Sequence, residues 1–114
     1  MTNRNKIIDL FVSNLANSIT HQILEKAAFE IQDINKTKYN KEFLGSWQAA
    51  KKYREKINPQ NRVLPFHDIN EIKQKLTNKV KAELNLRISK GYKNIDLNLV
   101  EVYIEKALKE LRVI

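Results

Sequence analysis

The chain has 114 residues, of which 42% are hydrophobic and 30% charged, a balance typical of a folded globular protein. It has no cysteine, which excludes disulfides, thiolate metal sites and cysteine nucleophiles, and its two glycines and two prolines provide too few turns for many short strands. The formal net charge of +8 favours a polyanionic partner.

The first predicted helix runs from about Arg4 to Asp33. Its apolar residues recur at steps of three and four, which only a helix places on one side. They are Ile8, Phe11, Val12, Leu15, Ala16, Ile19, Ile23, Ala27, Ile31 and Ile34. His21 falls on the opposite, polar side, where we expect it to be exposed to solvent.

The length of this helix leaves two outcomes open. A continuous helix would be about 45 Å long and would leave apolar surface for a second copy or a partner protein, so it predicts a homodimer or heteromeric contact. A break at Asn17–Thr20 would fold the apolar stripe onto the other helices and predicts a monomer. We favour the dimer.

The second predicted helix starts with Asn40 as its cap and ends at Ile57, because the residue before Pro59 is pushed out of the α region. Its apolar line contains Phe43, Trp47, Ala50 and Ile57. The opposite face contains Lys41, Gly45, Gln48, Lys52 and Lys56. Gly45 permits the close approach of a ligand or of another helix.

Two further helices follow a loop over residues 58–67. In the third, Asp68 and Glu71 have capping-box spacing, and Gly91 predicts the end. The fourth helix begins at Asp96 or Asn98. The alternation of Ile95, Leu97 and Leu99 at this point also permits a short stretch of extended backbone over Ile95–Leu99. The predicted fold is therefore all-α: a compact bundle of four or five helices with a long N-terminal helix, in a single domain over residues 1–114.

Most of the positive charge lies in one stretch. Residues 36–62 contain eight basic and two acidic residues, which is a charge of +6. Lysines spaced along a helix face can neutralise successive phosphates. The candidate nucleic-acid-binding residues are Lys36, Lys38, Lys41, Lys51, Lys52, Lys56 and Arg62, helped by Lys73 to Lys81. Among nearby aromatic residues, Tyr39 and Phe66 are expected to be exposed and to stack on bases, and Phe43 and Trp47 to lie in the core.

These features predict a small basic protein that binds DNA or RNA mainly through phosphates, in a non-catalytic accessory role in the cytoplasm. The alternative is a helical protein–protein interaction module, or a subunit of a larger assembly, with no nucleic-acid role. We predict no enzymatic activity, because two distant histidines without a paired acidic motif form no catalytic or metal-binding constellation. No cofactor motif and no membrane-spanning stretch is apparent.

Overall fold

The computed structural model describes residues 4–30, 36–58 and 62–114. These residues form four α-helices and no strand: α1 Arg4–Glu30, α2 Lys36–Ile57, α3 Phe66–Ser89 and α4 Leu99–Glu110. The predicted all-α bundle with a long first helix is confirmed, and no fifth helix occurs in these three segments. Ile31, Asp33, Ile34 and Pro59 lie outside the described residues.

Helix α1 is continuous and central. Of the two outcomes left open by the sequence, the break at Asn17–Thr20 does not occur: the helix passes through these residues, and at about 1.5 Å per residue it is roughly 40 Å long. Ser18 and Thr20 face inward rather than capping a new helix, and the Ser18 hydroxyl donates to the backbone oxygen of Phe43 at 3.2 Å. A polar side chain with an internal partner is compatible with a buried helix position.

The other three helices surround α1. Helix α2 runs antiparallel to it, since Asn17 contacts Ser46 while Glu25 contacts Asn40. Helix α3 runs parallel to α1 on a different side, and α2 and α3 do not contact each other. Helix α4 packs against both α1 and α3.

This arrangement covers the apolar stripe of α1 within one chain. From Ile8 to Ala28 its large aliphatic and aromatic core residues are at most 4% exposed. The dimer was predicted because a continuous α1 would leave the apolar stripe exposed to solvent. Over the described residues the stripe is instead buried by the other helices of the same chain. Leu24, which lies away from the predicted stripe, is also only 1% exposed.

Four polar contacts join α1 to α2, and we call them the hairpin seam. They pair Asn17 with Ser46, Ser18 with the Phe43 carbonyl, His21 with Glu42, and Glu25 with Asn40.

The position of His21 in this seam corrects the expectation that it is exposed. It is 7% exposed; its Nδ1 lies 2.8 Å from the Asn17 carbonyl oxygen and its Nε2 contacts the Glu42 carboxylate. The prediction failed because α2 packs on the polar side of α1.

Two predicted helix starts are also corrected. Helix α2 begins at Lys36, four residues before Asn40, whose side chain donates instead to Glu25. Helix α3 begins at Phe66, and the Asp68 carboxylate accepts from the Arg4 guanidinium, with Nη2 at 2.6 Å and Nη1 at 3.3 Å, rather than capping its own helix. In both cases a distant partner takes the side chain that the local pattern assigned to a cap.

The end of α3 follows the prediction. Gly91 adopts a φ of 98°, and the Tyr92 amide donates to the Arg87 carbonyl at 3.1 Å, as in a Schellman motif. Residues 92–98 form the connection that leads into α4. No strand forms at Ile95–Leu99. The Asn98 side chain does not cap α4, and the backbone N–H of Asn98 donates to Asp96 Oδ1 at 2.9 Å.

Candidate nucleic-acid interface

Helix α2 directs its lysines to solvent because its opposite side packs on α1. Tyr39, Ala50 and Ile57 are buried on that inner side, so residues half a turn away project outward. Among the candidates, Lys38, Lys41, Lys51, Lys52 and Lys56 of α2 and Arg62 beyond its end are exposed. Lys36 is the first residue of α2, but its side chain lies outside the described part of the structure.

The predicted stripe forms one exposed face, which we call the lysine face: Lys41, Gly45, Gln48, Lys52 and Lys56. From Lys41 to Lys56 it extends roughly 22 Å at 1.5 Å per residue. That length is somewhat over half of the about 34 Å helical repeat of duplex DNA. The face is therefore long enough to contact several phosphates.

Gly45 lies in the middle of the lysine face. A Cβ atom built on it would meet nothing within 4 Å. Within the described chain, the expectation that another helix crosses closely at Gly45 is therefore wrong. The backbone there faces an open depression also lined by Gln48, Ala49, Lys51, Lys52 and Glu55.

Among the side chains that the structure describes, no carboxylate forms an ion pair within 4.0 Å of the exposed lysines of α2. The nearest notable contact is that of Lys56, whose Nζ lies 5.5 Å from the centre of the Tyr53 ring. A cation without a carboxylate neighbour keeps its charge available to a ligand.

Some of the cations on the other helices form ion pairs within the chain. Lys75 of α3 lies 3.0 Å from Glu71 and 3.1 Å from Asp9, and these hydrogen bonds raise the pKa of Lys75. Further ion pairs join Lys73 to Glu105, Arg87 to Glu83, Lys109 to Glu105 and Arg4 to Asp68. Within the stretch from Lys73 to Lys81, the ion pairs reduce the contribution expected from Lys73 and Lys75, whereas Lys79 and Lys81 take part in none of these pairs.

Arg54 is the exception on α2. It is 2% exposed, and all five N–H donors of its guanidinium have acceptors: the Leu111, Arg62 and Arg112 carbonyls, and both oxygens of Asn58. Burial lowers the pKa of Arg54 from its ordinary value. Arg54 therefore connects the end of α2 to the segments before α3 and after α4, and it is not available to a ligand.

The aromatic residues are arranged differently from the prediction. Tyr39 is 6% exposed and packs near the His21 ring, so the expectation that it is an exposed stacking residue is wrong. Phe66 is 77% exposed, as predicted. Phe43 and Trp47, expected in the core, are only half-buried at its edge.

Other kinds of site were also considered. In the three described segments, no group of three or more His, Cys, Asp or Glu side chains is placed to hold a metal ion. None of the four helices is both long enough and apolar enough to span a bilayer.

Comparisons with protein-family models, curated proteins and solved structures find no significant match to this chain. The class of protein is therefore defined by the described residues alone: they form a bundle of four helices with one strongly basic helix face. A functional interpretation has to start from that face.

Proposed function

We propose that the protein binds nucleic acid, DNA or RNA, mainly through phosphate contacts made by the lysine face and its neighbours Lys38, Lys51 and Arg62. The observation that supports this proposal is the contrast between helices. The described lysines of α2 form no ion pair within 4.0 Å, whereas Lys73, Lys75, Arg87 and Lys109 of α3 and α4 are paired within the chain. A charge excess that served only solubility would have no reason to be concentrated in this way.

The type of cation also bears on the mode of binding. Lysine is a compact point charge, whereas the planar guanidinium of arginine reads guanine edges through two parallel hydrogen bonds. Arg54 is buried, which leaves Arg62 as the exposed arginine of this stretch. The chemistry therefore favours phosphate contacts with little sequence preference.

Binding across a salt series tests the proposal. Each lysine–phosphate contact on duplex DNA releases about 0.9 counterion, so four to six contacts give a slope of about −4 to −5 in log K against log salt. The measurement is fluorescence anisotropy of labelled DNA and RNA, single- and double-stranded. No binding to any form at about 50 mM salt, where such contacts are strongest, would overturn the proposal.

A matched pair of triple variants separates the lysine face from net charge. Replacing Lys41, Lys52 and Lys56 by glutamine should abolish most of the binding, whereas the same change at Lys79, Lys90 and Lys109 should have a small effect. All six side chains are exposed, and both variants lose three charges, so each should fold normally. Equal losses in the two variants would mean that total charge, rather than the lysine face, is responsible.

A further inference from the structure

An aromatic-lined cleft lies between α2 and α4, above α1. No Cα atom of α2 lies within 8 Å of one of α4, so the two helices leave a gap that side chains only partly fill. The cleft has a volume of about 110 Å³. We call it the aromatic cleft; it is lined by Gln22 of α1, Phe43 and Trp47 of α2, and Tyr103, Lys106, Ala107 and Glu110 of α4.

Three aromatic side chains form its walls. The Phe43 and Trp47 rings are stacked, with their centres 6.2 Å apart and an angle of 25° between their planes. These two rings and that of Tyr103 are half-buried, so each keeps part of its surface open. The volume is well below the roughly 300–1,000 Å³ of sites for drug-sized ligands, which limits the occupant to one small ring system.

The polar groups of the cleft favour a nucleobase over an aliphatic side chain. The Gln22 amide and the Glu110 carboxylate offer hydrogen bonds that a base edge can make and a hydrocarbon cannot. Lys106 and Glu110 place one charge of each sign at the cleft. Next to it, a second depression is lined by Lys51, Glu110 and Arg112, which places two cations where a flanking phosphate could lie.

We propose that the aromatic cleft receives one unpaired nucleobase of a single-stranded nucleic acid whose backbone passes Lys51 and Arg112 in the adjoining depression. This proposal rests on the proposed function and specifies its ligand. A base within a duplex is stacked and paired and must first be extruded to reach such a cleft, whereas a base in a single strand is already free. The protein therefore binds single strands through phosphates and a stacked base, but duplexes through phosphates alone.

The sequence has a single tryptophan, so the fluorescence of Trp47 reports on the cleft directly. We would titrate the full chain with an oligodeoxythymidylate of about 12 nucleotides, within the usual range of single-strand site sizes, and with a duplex of the same length. Anisotropy of the labelled DNA reports binding independently. We expect the single strand to bind and change the Trp47 emission, and the duplex to bind without changing it.

Variants at two aromatic positions complete the test. Tyr103→Leu keeps an apolar side chain but removes a stacking surface, and should weaken single-strand binding about tenfold or more while leaving duplex binding unchanged. Phe66→Leu, at an exposed aromatic residue outside the cleft, should leave both unchanged.

Single-strand binding without a change in Trp47 emission, or equal weakening by the two variants, would overturn the cleft proposal and leave phosphate binding standing. No anisotropy change with either DNA would overturn the proposed function itself, and the cleft proposal with it.

Discussion

Lys52 and Arg54 are two residues apart on α2 and carry the same charge, but their surroundings differ completely. Lys52 is exposed on the lysine face, whereas Arg54 is 2% exposed and donates to carbonyl oxygens from three segments. The direction of each side chain from the helix decides whether the cation meets solvent or backbone oxygens. Charge counted along the sequence therefore overestimates the charge available to a ligand.

Arg54→Met should lower the free energy of unfolding by about 3 kcal/mol or more, because each buried acceptor left without a donor costs about 1–3 kcal/mol. Arg54→Lys should restore only part of this loss, since an ammonium group has three donors instead of five. Urea denaturation measures both. Lys52→Met is the control, with an expected change under about 0.5 kcal/mol. Equal unfolding midpoints for Arg54→Met and Lys52→Met would contradict the structural role.

Asp68 makes the stability of the fold depend on pH. Its hydrogen bonds from Arg4 hold the pKa of the Asp68 carboxyl below its ordinary value of 3.8. Because the folded-state pKa is the lower one, the ionised pair stabilises the fold above the unfolded-state pKa. This stabilisation is lost as the pH falls through the folded-state pKa.

Asp68→Asn should therefore be less stable than the parent protein at neutral pH. The difference in the free energy of unfolding should shrink towards zero as the pH falls below about 4, where the parent carboxyl also becomes neutral. Urea unfolding of both proteins at a series of pH values measures this difference. A difference that stays constant over the whole series would show that the charge of Asp68 does not contribute.

Helix α2 contains, in its interior, a residue that lowers the stability of the helix. Gly45 occupies a helix interior with open space where a Cβ would lie, although glycine costs about 1 kcal/mol relative to alanine there. The described structure gives no packing reason for it. On the proposed function, the reason is the close approach of a ligand backbone to the lysine face.

The two glycines should respond to alanine with opposite signs. Gly45→Ala should raise the free energy of unfolding by about 1 kcal/mol, because the added methyl group favours the helix and meets no neighbour. Gly91→Ala should lower it by roughly 1–2 kcal/mol, because Gly91 has a φ of 98°, which side chains disfavour. Thermal or urea unfolding measures both, and a loss of stability in Gly45→Ala would show that the site is more crowded than described.

At the scale of the whole molecule, the number and type of helices could be predicted because apolar periodicity is a local property. The burial of the polar residues of α1 beneath the other helices could not be predicted in this way. Ser18, Thr20 and His21 are polar, and a sequence shows them as solvent-facing until the position of α2 and the other helices is known. Buried polar groups need partners, and those of the Ser18 hydroxyl and of His21 Nε2 lie on α2.

The candidate site was predictable to a similar extent. The exposure of Lys41, Lys52 and Lys56 follows from the apolar line on the other side of α2. The burial of Arg54 does not, because its acceptor Leu111 is 57 residues away. The aromatic cleft was missed for the same reason, since Tyr103 joins Phe43 and Trp47 only in the folded chain.

The hairpin seam determines where α2 can sit along α1. Apolar contacts have little directional preference, so on their own they would tolerate a slide of one helix along the other by a turn. A slide of one turn would break the four polar contacts of the seam and leave the buried side chains of Ser18 and His21 without their partners on α2. A single register is therefore selected, and it sets which residue of α1, Gln22, lies beside Phe43 and Trp47 in the aromatic cleft.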